Sequence, residues 1–128
     1  MSSPSRTLPR TVVAAIDASS ILGVRAGATS THRFVGIWPV VVDGRVFGRS
    51  WSLKPAGWYR TFREDPLGTI QIGARVVRVR AVSVRSERLR DAVEAAYAEK
   101  YSTPASRKYV RGFRTKARRE ATIEFVAR

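Results

Sequence analysis

The sequence predicts a mainly β domain with flanking helices (α+β), in which antiparallel strands form a small closed or partly closed barrel. Two short turns, Asp43-Gly44 and Gly73-Ala74, each join two strand-like segments and predict two hairpins. Helical patterns flank these hairpins near both ends of the chain. The apolar positions change parity near Ala81, which predicts a β-bulge that would curve the sheet towards closure.

Length and composition narrow the class of protein. The chain has 128 residues, and we expect a flexible tail at 1–10 followed by a single domain at 11–128. Its 24 Lys and Arg against 10 Asp and Glu give a formal net charge of +14. The absence of cysteine and the single histidine exclude disulfides, thiolate nucleophiles and Cys- or His-rich metal sites, so we expect no metal. No apolar run approaches the ~20 residues that span a bilayer, and no signal-peptide pattern opens the chain, so we expect a cytoplasmic protein without a membrane partner.

Caps, turns and apolar spacing place the individual elements. Thr11, Ser86 and Thr103 are each positioned to cap the start of a helix. Pro39 lies inside an almost continuously apolar run and indicates an edge strand or a bulge there. In chain order the predicted elements are a helix at 12–19, strands at 21–25, 34–42 and 45–51, a short helix from Trp58 to the Asp65-Pro66 stop, strands at 69–72 and 75–85, a helix from Ser86 to about Tyr101, a helix from Pro104 to about Arg118, and a strand at 121–126.

The sequence contains none of the short motifs that carry well-known chemistry. There is no G-x-G-x-x-G, no P-loop, no G-x-S-x-G and no H-E-x-x-H, and the scattered acidic residues suggest no carboxylate pair. His32 has no recognisable nucleophile or orienting group, so a surface or ligand-contact role is favoured over a general base. The catalytic residues therefore stay unassigned.

The densest cluster of candidate ligand-binding side chains lies at 49–59. Cations, hydroxyls, a glycine-containing loop and a helix start occur together there, which is the combination that holds a phosphate. Aromatic rings beside them could cover a planar heterocycle. The alternative is a hairpin end followed by an amphipathic helix, and for Trp58 and Phe62 a place in the core is favoured. The candidate residues are Arg49, Ser50, Trp51, Ser52, Lys54, Trp58 and Tyr59.

A second signal is a run of cations without an acid between positions 107 and 119. On one continuous helix, the arginines at i, i+4, i+7 and i+11 form a single stripe, which comprises Arg107, Arg111, Arg114 and Arg118. Like charges at these spacings disfavour a helix by roughly 0.2–0.5 kcal/mol per pair, so an anion that meets the stripe would explain it. That anion could belong to nucleic acid, a cofactor phosphate or a partner subunit, and a solvated helix face is the alternative. Tyr109 and Phe113 are expected on the buried side.

Five runs along the chain form a further pattern: G-I-W-P-V-V-V-D-G-R-V-F-G-R-S at 36–50, G-W-Y-R-T-F-x-x-x-P at 57–66, I-Q-I-G at 70–73, A-A-Y-A-E-K-Y at 95–101 and A-T-I-E-F at 121–125. Together they resemble a family of small bacterial proteins known as domain of unknown function 2255. The resemblance covers about residues 11–126 and is most specific in W-x-V-V-V-D-G and W-Y-R. The family looks like a branch of the flavin split-barrel group, which includes pyridoxamine-phosphate-oxidase-like proteins and deazaflavin-dependent reductases.

The resemblance implies a split β-barrel of about six antiparallel strands, similar to FMN-binding split barrels. It also implies a homodimer, with a groove near the dimer interface for FMN or a deazaflavin coenzyme. Carried over residue by residue, it places Arg49, Ser50, Ser52 and Lys54 at the cofactor phosphate. Trp58 and Tyr59 would close that loop, and Thr31, His32 and Arg33 would approach the ring system or a second phosphate.

The implied function is binding of a flavin or deazaflavin, with oxidoreductase activity on a small molecule. The redox chemistry would belong to the cofactor, so it requires no His, Cys or paired acid from the chain. Two alternatives stay open: a cofactor-free ligand-binding or interaction domain that uses the barrel as a scaffold, and a basic protein that binds nucleic acid non-specifically. Nucleic acid is the less favoured of these, because the sequence shows no aromatic RNA-binding motif.

Overall fold

The computed structural model describes residues 7–55 and 57–128. Within these residues the chain forms five helices and seven strands. In chain order they are α1 (Arg10–Asp17), β1 (Leu22–Ala26), β2 (Val35–Ile37), β3 (Pro39–Val42), β4 (Arg45–Arg49), α2 (Trp58–Glu64), β5 (Leu67–Ile72), β6 (Arg75–Ser83), α3 (Glu87–Lys100), α4 (Pro104–Gly112), α5 (Lys116–Glu120) and β7 (Thr122–Ala127). No helix in the described part of the chain is long and apolar enough to cross a membrane.

The strands form one antiparallel sheet in the order β2-β1-β5-β6-β7-β4-β3. The two strands at the ends of this order, β2 and β3, are neighbours in the chain and are separated only by Trp38. The predicted single strand at 34–42 is therefore divided, and its first part pairs with β1 while its second part pairs with β4. Because one bent segment links both ends of the sheet, the architecture is a nearly closed barrel, as predicted.

The two predicted hairpin turns are confirmed. Asp43 and Gly44 both have positive φ values, of 52° and 74°, as a type I′ turn requires between Val42 and Arg45. Gly73 has a φ of 59° at the first central position of the turn that pairs Ile72 with Arg75. Both registers follow from these local turn residues.

Hydrophobic side chains form two clusters, one on each side of the sheet. The barrel cluster is built from six of the strands together with α1 and α2, and its largest members include Ile16, Leu22, Phe62, Ile70, Ile123 and Phe125. The helix cluster lies between the outer face of β3 and β4 and the helices α3 and α4, and comprises Val40, Phe47, Val84, Val93, Tyr97, Tyr101, Val110 and Phe113. β4 is consequently buried on both faces, with Val46 in the barrel cluster and Phe47 in the helix cluster.

The predicted β-bulge near Ala81 is wrong. β6 keeps an uninterrupted register with β7, from Val79 opposite Ala127 to Ser83 opposite Ile123. The change of apolar parity has another cause, because Val79 and Ala81 face the barrel cluster whereas Val84 faces the helix cluster. A strand covered first on one face and then on the other produces the same sequence pattern as a bulge.

The helix ends confirm some of the predicted caps and correct others. Ser86 Oγ accepts from Leu89 N at 3.2 Å and caps α3, and Thr103 caps α4 in the same way. Thr11 caps nothing, since α1 begins at Arg10 and the N-cap position is Pro9.

The tail and the last predicted helix also differ in length from the prediction. Leu8 is buried in the barrel cluster, so the predicted tail at 1–10 is too long, and positions 1–6 lie outside the described residues. The helix predicted to reach Arg118 ends at Gly112, because glycine is a poor helix former and Thr115 has extended backbone. A separate helix, α5, then begins at Lys116.

Candidate functional site: an aromatic pocket

One pocket collects an unusual share of the aromatic residues. It has a volume of about 380 Å³ and is open to solvent. All three tryptophans of the chain line it. We call it the aromatic pocket; its rings are Trp38, Trp51, Trp58, Tyr109 and Phe113, and β2 forms part of its wall.

Several elements bring these rings together. Trp38 joins β2 to β3, Trp51 follows β4, and Trp58 is the first residue of α2. Tyr109 lies on α4 and Phe113 directly follows it. Their contacts are mostly edge-to-face, with ring centroids 5.3 Å apart for Trp51 and Tyr109 and 5.6 Å apart for Trp51 and Phe113. Such contacts between rings from distant parts of the chain hold the walls in fixed orientations.

Trp38 is anchored from behind. Its ring stacks on Tyr101 with centroids 4.3 Å apart and an interplanar angle of 4°. The Tyr97 hydroxyl donates to the Trp38 carbonyl at 2.6 Å and accepts from the Arg49 amide at 2.9 Å. Burial raises the pKa of Tyr97, so its hydroxyl stays protonated and keeps this donor role. The aromatic wall is therefore tied to α3 at two tyrosines.

Trp51 is held by two residues to which the sequence assigned no such role. The guanidinium carbon of Arg118 lies 3.8 Å from the indole centroid. Its Nε also donates to the Trp51 carbonyl at 3.0 Å, and its Nη1 donates to the Gly112 carbonyl at 3.3 Å. A Cβ on Gly112 would lie 2.3 Å from Trp51 Cη2, so only glycine leaves room for this indole. A glycine inside an otherwise helical pattern was the available signal.

The hydroxyls of the 50–54 loop are used by the loop itself. Ser50 is fully buried and its hydroxyl donates to the Ser52 carbonyl. Ser52 Oγ accepts from the Lys54 amide at 3.4 Å, and the Gly57 amide donates to the Lys54 carbonyl at 2.9 Å. The Lys54 side chain is exposed. The Ser50 hydroxyl is thus committed to the turn that carries Trp51, whereas Ser52 lines the aromatic pocket, and its contact with a phosphate stays a prediction.

Arg49 is a structural residue rather than a surface cation. It is only 2% exposed. Its Nε donates to Thr122 Oγ1 at 2.9 Å, and its Nη1 donates to Glu94 at 3.2 Å and to the Phe113 carbonyl at 3.0 Å. Its Nη2 donates to the Arg90 carbonyl at 3.1 Å. Burial lowers the pKa of Arg49 while its hydrogen bond to Glu94 opposes that shift, and an arginine stays charged in either case. The Arg49 guanidinium is therefore bound to partners within the protein, while the residue borders the aromatic pocket, and its contact with a cofactor phosphate stays a prediction.

The remaining candidate residues lie elsewhere. Tyr59 is buried on the other side of α2, and its hydroxyl donates to the Glu120 carbonyl at 3.4 Å. Thr31 and His32 line a separate depression beside α2, and Arg33 is exposed on the same connection between β1 and β2. The structure thus brings Trp51, Ser52 and Trp58 to one pocket and does not bring these four residues to it.

The predicted basic stripe does not lie on one continuous helix. The helix break at Gly112 places Arg107 and Arg111 on α4 and Arg118 on α5. Arg107 donates to the Ser102 carbonyl, and Arg114 lies 3.6 Å from Glu94. The stripe supported the nucleic-acid alternative, and the break between α4 and α5 divides it.

Acidic side chains of α3 supply countercharge to the basic segment. Arg119 makes ion pairs with Glu87 at 2.7 Å, Asp91 at 3.0 Å and Glu94 at 2.8 Å. The hydrogen bonds that Arg119 donates to these carboxylates raise its pKa, and the one to Glu94 has the largest effect. Arg90 joins the network through Glu87 at 2.7 Å. No group of three histidine or acidic side chains that could hold a metal ion occurs within residues 7–55 and 57–128.

Comparisons with solved structures agree with the fold. A conserved hypothetical protein from Mycobacterium tuberculosis aligns with a TM-score of 0.61 at 14% identity, covering 100% of this chain and 86% of that one. A structure described as an F420-H2 dependent reductase aligns with a TM-score of 0.57 at 21% identity, covering 83% of this chain and 91% of that one. A FAD-binding protein from Mesorhizobium loti aligns with a TM-score of 0.54 at 15% identity, covering 94% of this chain and 88% of that one. At these identities the likeness concerns the fold alone, which is the predicted split β-barrel.

No curated protein matches the sequence. One family profile does, and it spans residues 11–125, almost the whole chain. The predicted resemblance to this family is thereby confirmed. The chain belongs to the DUF2255 family, which is described as uncharacterized protein conserved in bacteria.

Proposed function

We propose that this protein binds FMN or a deazaflavin coenzyme with the ring system in the aromatic pocket and acts as an oxidoreductase on a small molecule. The observation that carries the proposal is the convergence of all three tryptophans with Tyr109 and Phe113 around one pocket of about 380 Å³. That volume lies within the range of roughly 300–1,000 Å³ typical of small-molecule sites. Solved structures described as an F420-H2 dependent reductase and a FAD-binding protein share its fold and support the same proposal.

The residues present fit the ring of such a cofactor better than its phosphate. Edge-to-face aromatic walls offer faces on which a planar heterocycle can stack. For the anionic part, Arg118 at Trp51 and the exposed Lys54 are the cations that would meet it. Ser50 and Arg49 would act indirectly, because they position the loop and the strand that carry Trp51.

The chain's own part in the chemistry is positioning. A bound flavin or deazaflavin supplies the electron or hydride transfer. Arg49 and Tyr109 are the only ionisable side chains among the described lining residues, so the pocket offers no carboxylate or imidazole for proton transfer. The aromatic walls would orient the ring and keep water from one of its faces.

Tryptophan fluorescence tests the proposal directly. Because every tryptophan lines the aromatic pocket, the intrinsic emission reports on this site alone. We expect micromolar FMN or F420 to quench it, and the cofactor to gain an induced circular dichroism signal. A Trp51→Leu variant should bind at least roughly tenfold more weakly, which corresponds to the loss of a stacking contact.

The matched control is Phe34→Leu, which shortens another partly exposed aromatic residue outside the pocket. It should bind like the unmodified protein. Folded protein that binds neither FMN nor F420 would refute the proposal and would favour a cofactor-free binding domain.

The implied homodimer is part of the proposal. Val35 lines the aromatic pocket yet is 51% exposed, and Ile21 is 48% exposed beside Gly36 of the same wall. A second copy that covers this apolar rim would also enclose the ring. Light scattering should give twice the monomer mass, and Val35→Glu should shift the protein to monomer. A monomer at all concentrations would contradict the proposed dimer.

A further inference from the structure

A second pocket, of about 530 Å³, lies on the far side of the segment that carries Trp51 and Trp58. It is lined by side chains of α2, α3 and α5 and by the connection between β6 and α3. We call it the arginine pocket; its charged residues are Arg60, Arg63, Arg85, Arg90 and Glu120. It shares no lining residue with the aromatic pocket.

The four arginines differ in how they are held. Arg90 is fixed, since its Nε donates to the Val84 carbonyl at 3.1 Å and its Nη1 pairs with Glu87 at 2.7 Å. Arg63 donates a long hydrogen bond of 3.5 Å to the Tyr59 hydroxyl, and its guanidinium carbon lies 5.9 Å from the centroid of the same ring. Arg60 and Arg85 are exposed and have no hydrogen-bond or ion-pair partner among the described residues. The pocket therefore combines one preorganised guanidinium with others that are free to close on a ligand.

The countercharge in this region is already used. Glu87, Asp91 and Glu94 of α3 are paired with Arg119. Glu120 is the one carboxylate among the described residues that line the pocket. Four cations gathered in a concavity whose walls include Leu53, Val84 and Ala117 produce a focused positive potential. A bound anion would relieve their repulsion, and guanidinium groups match phosphate oxygens in geometry.

We propose that the arginine pocket is a second ligand site, for a small phosphate monoester that also carries hydroxyl groups. The arginines would bind the phosphate. The Glu120 carboxylate repels a bare anion but accepts from a hydroxyl, so it would favour a ligand that carries both groups. A sugar phosphate has this chemistry, and such a ligand would bind whether or not the aromatic pocket is filled.

Isothermal titration at low ionic strength tests the proposal, with ribose 5-phosphate, inorganic phosphate and ribose as probes. We expect ribose 5-phosphate to bind more tightly than inorganic phosphate, and ribose not to bind. An Arg60→Gln/Arg85→Gln double variant should bind ribose 5-phosphate at least roughly tenfold more weakly, because it lacks both unpartnered guanidiniums.

The matched control is the Arg78→Gln/Arg80→Gln double variant, which removes two exposed arginines of β6 that do not line the pocket. It carries the same change in net charge and should bind within about twofold of the unmodified protein. Equal weakening in the two double variants would show a diffuse charge effect and overturn the proposal. Absence of ribose 5-phosphate binding by the unmodified protein would also overturn it.

Two further measurements separate this site from its alternatives. The Glu120→Gln variant should bind inorganic phosphate more tightly, because the repelling charge is removed. Its preference for ribose 5-phosphate over inorganic phosphate should therefore be smaller. An unchanged preference would refute the role of Glu120. FMN and F420 titrations of the Arg60→Gln/Arg85→Gln variant should match those of the unmodified protein. A parallel loss of cofactor binding would instead assign these arginines to the cofactor and overturn the second site.

Discussion

Arg118 covers the indole of Trp51 and at the same time donates to the Trp51 backbone carbonyl, with 3.8 Å from Cζ to the ring centroid and 3.0 Å from Nε to the oxygen. The two residues are 67 positions apart in the chain. Trp51 itself is 41% exposed, so this clamp, rather than burial, fixes the orientation of one wall of the aromatic pocket.

An Arg118→Lys variant should loosen that wall. Lysine keeps the charge but loses the planar group that stacks and donates in two directions. We expect a red-shifted tryptophan emission and weaker FMN or F420 binding, with a loss of about 0.5–1 kcal/mol in unfolding free energy. Arg111→Lys, an exposed arginine of α4 outside the pocket, is the control and should leave both readouts unchanged. Unaltered emission in Arg118→Lys would show that the clamp does not hold the indole.

Gly112→Ala should displace Trp51. The added methyl group would lie 2.3 Å from Cη2 and 2.5 Å from Cζ3 of the indole, so the exposed ring must swing away from α4. The fold should survive, because alanine favours a helix more than glycine does. We expect altered tryptophan fluorescence and weakened cofactor binding without a lower Tm. In a Trp51→Ala background the same change should have little further effect, and an equal effect there would contradict the steric explanation.

Arg49→Met should destabilise the protein rather than act through a ligand. The change removes the donors to Thr122, Glu94 and two backbone carbonyls, and loss of such a buried charged group costs about 3–5 kcal/mol. A urea titration should show a lower midpoint with an unchanged slope. Arg78→Met on the exposed side of β6 should change the midpoint little. A normal midpoint together with lost cofactor binding would restore Arg49 to the ligand site.

Asp65 should make the fold sensitive to acid. The amides of Ala28 and Leu67 donate to its carboxylate at 2.9 and 3.1 Å, and they lower its pKa from the ordinary value of 3.8. Because the folded pKa is the lower one, this carboxylate stabilises the fold above pH 3.8 and the contribution disappears as pH falls through the lowered pKa.

An Asp65→Ala variant should therefore have a lower Tm than the unmodified protein near neutral pH. The difference should shrink on acidification below the ordinary pKa of 3.8. Circular dichroism melts over that range give the measurement. A difference that is constant with pH would show that the carboxylate charge is not what stabilises the loop.

The parts of the fold that depend on neighbouring residues could be predicted from the sequence. Asp43-Gly44 and Gly73-Ala74 set their hairpins locally, and Ser86 and Thr103 cap helices within three residues of themselves. The division of the 34–42 run at Trp38 could not be predicted in this way, because it depends on pairing with two strands from different parts of the sheet.

The residues of the candidate site likewise fall into those that a local sequence pattern could predict and those that it could not. The 49–59 segment directed attention to Trp51 and Trp58, and the structure places both in the aromatic pocket. Tyr109, Phe113 and Arg118 reach them only through tertiary packing, so no local pattern could add them. Arg49 shares a strand face with Phe47, which was a signal of burial, but its acceptors on α3 and near Phe113 are fixed only by the fold.

Trp38 contributes to both the fold and the site. It joins β2 to β3, the strands at the two ends of the sheet order, and it also lines the aromatic pocket. A fluctuation that detaches β2 from β1, or β3 from β4, would therefore move this indole and disrupt the pocket. A ligand that contacts Trp38 binds only the form in which these strands are paired. By mass action, ligand binding therefore reduces the population of the opened form. Backbone amide hydrogens of β2 and β3 should accordingly exchange with solvent more slowly as ligand fills the pocket. Hydrogen exchange in these two strands would then report the fraction of protein that has ligand bound.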